Sequence, residues 1–238
     1  TTAVAGPKSR AVLQAICKDV DFDDKAFPFM SYREGTVAGV PARIMRISFS
    51  GERSYEVNVP AEHGLKVWEA IQAAGKQYGI TPYGTETMHV LRAEKGYVII
   101  GQDTDGSVTP VDLGMSGMVA KTKDFLGKRS LTRSDTARSD RKQLVGLLTQ
   151  DPRLVLPEGA QILAGAFNPP PALTPMQGHV TSSYHSPTLG RSIALAVVKG
   201  GLNRMGETVQ VALRDGRNVN ATIASPVFYD PNSERQNA

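Results

Sequence analysis

The carboxylate of Glu56 has the clearest chemical potential in this sequence, because its neighbours predict a position in the middle of a strand. Residues 45–49 and 55–59 alternate apolar and polar side chains around a turn at 50–53, which is typical of a half-buried β-hairpin. The predicted apolar faces carry Met45, Ile47 and Phe49 on the first strand and Tyr55, Val57 and Val59 on the second. Glu56 then sits on a rigid element and points away from the apolar side.

Two interpretations of Glu56 are open. A glutamate on a strand usually belongs to a solvated face, since this residue type is rarely fully buried. It also suits a cleft, where its two oxygens accept hydrogen bonds from adjacent N–H donors of a flat ring such as an aminopyrimidinone. The periodicity of the strand does not separate the two.

The other candidate groups predict little chemistry. Cys17 is the single cysteine, so no internal disulfide is possible, and its helical surroundings favour a buried, inert thiol. The four histidines do not pair at metal-ligand spacing. Residues 101–106 resemble a calcium loop but lack the full acidic spacing and the closing glutamate. Residues 183–186 lack the Gly-x-Ser-x-Gly context of a nucleophile, and no phosphate-binding glycine motif is present. We expect no metal site.

Composition narrows the class of protein. The chain has 238 residues, of which 40% are hydrophobic and 21% charged, as in a globular protein of one large or two moderate domains. Its net charge of +4 comes without a basic stripe among aromatics, so nucleic-acid binding is not expected. No apolar run suits a membrane helix and no signal peptide is evident, so a cytoplasmic protein is expected. The chain opens with strand-like residues, from which we expect it to be the C-terminal part of a longer polypeptide.

The first part of the chain predicts helices as well as strands. Helical spacing and end signals predict helices over 7–18, 62–78 and 84–95. The second is expected to end at Gly79 and to place Trp68 in the core.

The second part of the chain predicts β-structure only. A polar and basic stretch precedes it, and we place a domain boundary between residues 138 and 139. Short β-runs separated by glycine and proline turns then predict a small barrel or jelly roll, with a loop at 166–171. The predicted fold is therefore α+β over 1–138, followed by a β-barrel domain over 139–238.

Several motifs, in order along nearly the whole chain, resemble the glycine cleavage T-protein (aminomethyltransferase) family. They are Ser50-Gly51-Glu52 with Tyr55-Glu56, Leu91-Arg92-Ala93-Glu94, Thr109-Pro110-Val111-Asp112-Leu113-Gly114, Lys123-Asp124-Phe125-Leu126-Gly127-Lys128, and Gly178-His179-Val180-Thr181-Ser182 with Ser186-Pro187-Thr188-Leu189-Gly190. Within the superfamily, residues 94–97 and 101–106 look most like the α subunits of heterotetrameric sarcosine oxidases. Those subunits are longer, and their earlier part resembles a dinucleotide-binding module. The chain would then lack the first strands of the T-protein-like region.

The resemblance implies tetrahydrofolate binding in the first domain. The family's pterin-holding glutamate falls on Glu56 and its pocket tyrosine on Phe49, which keeps a ring but loses the hydroxyl. The expected folate-binding residues are Glu56, Phe49 and Tyr55. An arginine common in aminomethyltransferases falls near Met88, and the family's catalytic aspartate has no counterpart, so no catalytic residue is assigned.

The implied function is to trap the one-carbon unit from sarcosine oxidation as 5,10-methylenetetrahydrofolate. FAD or FMN and NAD would lie in other parts of the complex, and the other oxidase subunits would be partners. Alternatives are a T-protein-like aminomethyltransferase and a non-catalytic folate-binding or docking module. The folate-dependent iron–sulfur assembly relatives carry a cysteine where this chain has Phe125, which argues against them.

Overall fold

A computed structural model describes residues 1–164 and 174–237. The predicted loop at 166–171 lies outside the described residues. Two compact units are present: Thr1–Arg92 with the C-terminal segment from Asp230, and Ala93–Tyr229. This division falls at residues 92 and 93, whereas the boundary at 138 and 139 stays a prediction. The described α-helices are α1 (Ser9–Ile16), α2 (Gly64–Gly75), α3 (Thr85–Glu94) and α4 (Glu234–Asn237).

The first unit is organised around an antiparallel sheet with strand order β1-β4-β3-β2. Its strands are β1 (Thr2–Ala5), β2 (Ser31–Val37), β3 (Val40–Arg46) and β4 (Ser54–Asn58). One face of the sheet is buried against α1 and α2, where Ile44 and Val57 pack with Leu13 and Ile71. The alternation of buried and half-buried residues along β4 is the period of two that the sequence predicts.

The hairpin prediction is right for β4 and wrong for β3. Strand β3 ends at Arg46, and residues 47–53 form a loop. In the pairing register Ile44 faces Val57 and Met45 faces Glu56. Because paired residues lie on the same face of a sheet, Ile44 and not Met45 enters the core.

The helix predictions are confirmed, with one error in the buried face. Helix α2 is extended at both ends by a turn of 3₁₀-helix, and Gly79 follows with φ of 71°. The buried positions are Val67 and Ile71, while Trp68 is 39% exposed. The predicted core position of Trp68 is therefore wrong, because the pair Val67 and Ile71, four residues apart, forms the stripe that faces the sheet.

The second unit contains a closed barrel with strand order β10-β5-β8-β7-β6-β9, which confirms the predicted α+β fold with a C-terminal barrel. The strands are β5 (Lys142–Thr149), β6 (Gln161–Leu163), β7 (Met176–Ser186), β8 (Arg191–Lys199), β9 (Thr208–Ala212) and β10 (Asn218–Ala224). Val145, Val180 and Val211 are among the residues of its core. Each of these six strands pairs with a neighbour on both sides, as closure of a sheet into a barrel requires. No helix in the described part of the chain combines the length and the apolarity that crossing a bilayer requires.

Candidate functional site

Glu56 lies in a row of side chains that crosses all four strands of the first sheet. Ala3 of β1, Glu56 of β4, Met45 of β3 and Tyr32 of β2 are direct cross-strand neighbours. The row occupies the face opposite the core, as the sequence predicts for Glu56. Glu56 and Met45 are half-buried, while Tyr32 is 56% exposed. The row thus sets a carboxylate beside a thioether, with an aromatic ring one strand further.

The carboxylate of Glu56 has no hydrogen-bond or salt-bridge partner among residues 1–164 and 174–237. The neighbouring arginine on this face, Arg43, is 2.9 Å from the carboxylate of Glu34 and is paired with it. The guanidinium of Arg43 also lies 5.4 Å from the centroid of the Tyr32 ring, a cation–π contact that holds this ring on the sheet. Glu56 therefore presents two acceptor oxygens from a rigid strand.

Phe49 lies in the loop 47–53 and not on a strand, and its side chain is half-buried. The loop turns at Gly51, within the predicted turn at 50–53, with a positive φ of 83° that glycine adopts without strain. The backbone N–H of Gly51 donates to Oγ of Ser48 at 3.0 Å. The position of Phe49 therefore depends on the conformation of this loop and not on strand register.

Tyr55 is not brought together with Glu56. Its ring is fully buried and meets Phe22 and Phe27 edge-on, at centroid distances of 5.5 Å and 5.7 Å. Successive strand residues point to opposite faces, so the side chain of Tyr55 points to the core while that of Glu56 points away from it. Tyr55 anchors β4 and thereby fixes the backbone of Glu56, and a direct contact of Tyr55 with folate stays a prediction without geometric support.

A cluster of charges that sequence reasoning missed fixes both ends of the loop 47–53. Asp24 pairs with Nη1 of Arg46 at 2.6 Å and with Nη1 of Arg53 at 2.8 Å, and it also pairs with Arg10. The hydrogen bond from Arg53 is the main cause that holds the pKa of Asp24 well below its usual range. Arg46 ends β3 and Arg53 precedes β4, so one carboxylate ties the two strand ends together. In the sequence, the sign of this charge cluster is a pair of arginines, Arg46 and Arg53, on either side of a turn that contains glycine.

A cavity of about 530 Å³ lies elsewhere in the first unit. It is bounded by β1, the start of α1, α2 and residues 78–88, with Trp68 and Tyr83 in its lining. Glu56 is not among the lining residues. Within the described residues, no group of three or more His, Cys, Asp or Glu side chains is arranged to hold a metal ion.

Comparison with protein families decides the membership of the chain. Residues 1–123 match the GCVT N-terminal domain, and residues 142–230 match the glycine cleavage T-protein C-terminal barrel domain. The chain belongs to the glycine cleavage T-protein family.

Two kinds of relatives are similar to this chain. The sarcosine oxidase subunit alpha of Corynebacterium sp. (strain U-96) is 50% identical over 99% of the chain and 24% of that protein. The aminomethyltransferase of Thermotoga petrophila is 32% identical over 98% of the chain and 60% of that protein. The chain thus spans about a quarter of the length of the sarcosine oxidase subunits that it matches.

The fold of the T-protein family is also found by structural comparison. The glycine cleavage system aminomethyltransferase T from Bartonella henselae superimposes with a TM-score of 0.77 at 23% identity, over 95% of this chain and 58% of the other. At this identity the likeness establishes the fold. The role of Glu56 has to be argued from its geometry.

Proposed function

We propose that this chain binds a reduced folate through Glu56. We propose further that it is the part of a sarcosine oxidase α subunit that traps the one-carbon unit as 5,10-methylenetetrahydrofolate. The observation that carries the proposal is the half-buried carboxylate of Glu56, which has no partner among the described residues although it is held on a rigid strand. Sequence identity of 50% to a sarcosine oxidase subunit alpha supports the choice of reaction.

The chemistry of the row suits a flat heterocycle. A pterin ring offers an amino group and a ring N–H side by side, and these match the two oxygens of one carboxylate. Met45 beside Glu56 supplies a polarizable contact for a ring face. Phe49 remains a proposed packing residue. Tetrahydrofolate, when bound, supplies the two amine nitrogens that take up the one-carbon unit.

The oxidation level of the transferred carbon determines which reaction the folate site has to carry out. The methyl carbon of sarcosine leaves amine oxidation at the level of formaldehyde, and its capture between two amine nitrogens keeps that level. The folate site therefore needs no redox group of its own. We propose that flavin and NAD are bound by other parts of the complex, that other oxidase subunits are partners, and that the protein is cytoplasmic. This chain alone is not expected to oxidise sarcosine.

Isothermal titration calorimetry of the purified protein with a reduced folate tests the role of Glu56. A hydrogen bond to a charged group contributes about 1.5–3 kcal/mol, so Glu56→Gln is expected to raise the Kd by about 10- to 150-fold. Glu34→Gln is the matched control, because Glu34 lies on the same sheet face but is paired with Arg43. Equal affinity of the wild type and Glu56→Gln would refute the assignment.

A T-protein-like aminomethyltransferase is the second candidate, favoured by 32% identity to the Thermotoga petrophila enzyme. Both candidates use the same folate site, so binding does not distinguish them. The assembled protein should form methylenetetrahydrofolate from sarcosine, oxygen and tetrahydrofolate if it is an oxidase subunit. It should instead require an aminomethyl-loaded carrier protein if it is an aminomethyltransferase. A docking module without folate affinity would show neither activity nor binding.

A further inference from the structure

An apolar cavity in the second unit has no lining residue in common with the proposed folate site. It has a volume of about 380 Å³, and its lining includes Pro110, Met118, Phe125, Leu126 and Leu131. Met118 is 80% exposed and Leu126 is fully exposed. Large apolar side chains in such positions mark an interaction site when they gather around one concavity. We call this cavity, together with the segment 119–133 that supplies most of its lining, the basic pocket.

The chain segment that supplies most of the lining of the basic pocket, residues 119–133, carries an excess of positive charge. Residues 119–133 contain five basic residues and one acidic residue, so this segment has a net charge of +4, which equals that of the whole chain. Lys128 pairs with Asp124 at 3.2 Å. The remaining cations have no salt-bridge partner within residues 1–164 and 174–237, and they are Lys121, Lys123, Arg129 and Arg133.

Local hydrogen bonds order the backbone of the basic pocket. Gly127 has a φ of 92° and precedes a 3₁₀-helix over Lys128–Thr132. Nζ of Lys128 donates to the carbonyl oxygen of Lys123 at 3.2 Å, which closes the turn that presents Leu126. An ordered concave surface loses less conformational entropy on binding than a flexible one. The basic pocket is therefore prepared for a ligand that combines apolar and acidic groups.

We propose that the basic pocket docks another subunit of the complex, through a segment in which a large apolar side chain is flanked by Asp or Glu. The existence of such a subunit rests on the proposed function, but the basic pocket shares no residue with the proposed folate site. The apolar side chain would fill the cavity beside Leu126. The flanking carboxylates would pair with Lys121 and Lys123, which increases the association rate and sets the register.

The shape of the basic pocket favours a protein partner over other anionic surfaces. A membrane is flat and would meet the cations without filling a cavity of about 380 Å³. A single-stranded nucleic acid would need exposed aromatic side chains for base stacking, whereas Phe125 is half-buried. A duplex would contact the cations through its phosphates and leave the cavity empty. A protein segment can fill the cavity with an apolar side chain and pair its carboxylates with the cations.

Assembly of the complete complex tests the proposal. Leu126→Asp and the double variant Lys121→Glu with Lys123→Glu are expected to weaken subunit association at least tenfold, measured by analytical ultracentrifugation at two salt concentrations. The double variant should also lose most of the salt dependence of the wild type. Met205→Asp is the control, because Met205 is 45% exposed and lies in the same unit but is not among the residues that line the basic pocket. Circular dichroism verifies that each variant is folded.

A photo-crosslinker identifies the occupant. p-Benzoylphenylalanine incorporated at position 126 of the complex is expected to link to one acidic and apolar segment of another subunit. Three outcomes would each overturn the proposal. The variants could associate as strongly as the wild type, or the crosslink could join a second copy of this chain. The wild type could also bind anionic lipid vesicles while the double variant does not. Reduced folate binding, measured on the same variants, should be unchanged. Failure of docking is then distinguishable from failure of the folate assignment.

Discussion

Substitution of Asp24 tests how the first unit holds the strands beside Glu56. Asp24 is the shared counter-ion of Arg46 and Arg53, at 2.6 Å and 2.8 Å, and both arginine residues are only 2% exposed. Removing one partner of a buried ion pair costs about 3–5 kcal/mol, because the other charge stays buried. Asp24 itself is half-exposed. After its substitution, Arg46 still donates to the carbonyl oxygen of Phe27, and Arg53 still donates to that of Asn237. We therefore expect Asp24→Asn to lower the free energy of unfolding by about 3 kcal/mol, the lower end of that range.

Urea unfolding at neutral pH, followed by the fluorescence of the single tryptophan, Trp68, measures this loss. The matched control is Glu34→Gln, which breaks the pair with Arg43 on the open sheet face, where both side chains are more than half exposed. Exposed pairs contribute about 0–1 kcal/mol. The reasoning fails if the two substitutions cost the same small amount.

The same network gives the stability a definite dependence on pH. The hydrogen bond from Arg53, with further help from Arg10 and Arg46, keeps the pKa of Asp24 below its value in the unfolded chain, while burial opposes the shift. A lowered folded pKa stabilises the protein fully above the unfolded pKa, which is about 3.9, and this stabilisation is lost as the pH falls towards the folded pKa. The difference between the wild type and Asp24→Asn should therefore be constant near neutral pH and should shrink below about pH 4. A difference that grew on acidification would contradict this assignment.

Two further predictions concern groups buried in the two units. Burial raises the pKa of the Cys17 thiol to about 11; we expect a maleimide to label the native protein at pH 8 far more slowly than the protein in urea, and equal rates would show that the thiol is accessible. A Cβ on Gly178 would lie 2.1 Å from the carbonyl oxygen of Val197 on the neighbouring strand, so Gly178→Ala should destabilise the barrel by about 2 kcal/mol or more in thermal unfolding. The control Gly106→Ala should change stability by less than about 1 kcal/mol, since no atom lies within 4 Å of the added Cβ.

Local signals predicted the elements of the fold well. The end of the helix before Gly79 and the turn at Gly51 followed from residue types that favour positive φ, and both glycines adopt it. The outward direction of Glu56 followed from the alternation of its own strand. The barrel followed from the spacing of short β-runs. Each of these features depends on residues close together in the sequence.

Features that depend on pairing between distant residues were not predictable in the same way. The register that sets Ile44 opposite Val57 sends Arg46 into the buried side, although alternation in the sequence placed it outside. Its partner Asp24 precedes it by more than twenty residues and lies outside the helices and strands that the sequence predicts. An arginine is buried only when a counter-ion is present, and sequence spacing does not reveal that counter-ion.

The distribution of charge in the first unit bears on what Glu56 can bind. Three other carboxylates, those of Asp24, Glu34 and Glu52, each have an arginine partner. Glu56 has none among the described residues, so the arginines in these pairs do not compensate its charge. A ligand that offers two neighbouring N–H groups would satisfy both oxygens of Glu56, whereas glutamine in its place keeps one acceptor and turns an N–H₂ group towards the other donor. The loss expected for Glu56→Gln therefore combines a lost hydrogen bond with a donor–donor clash, and a ligand with a single N–H donor at this point would tolerate the substitution.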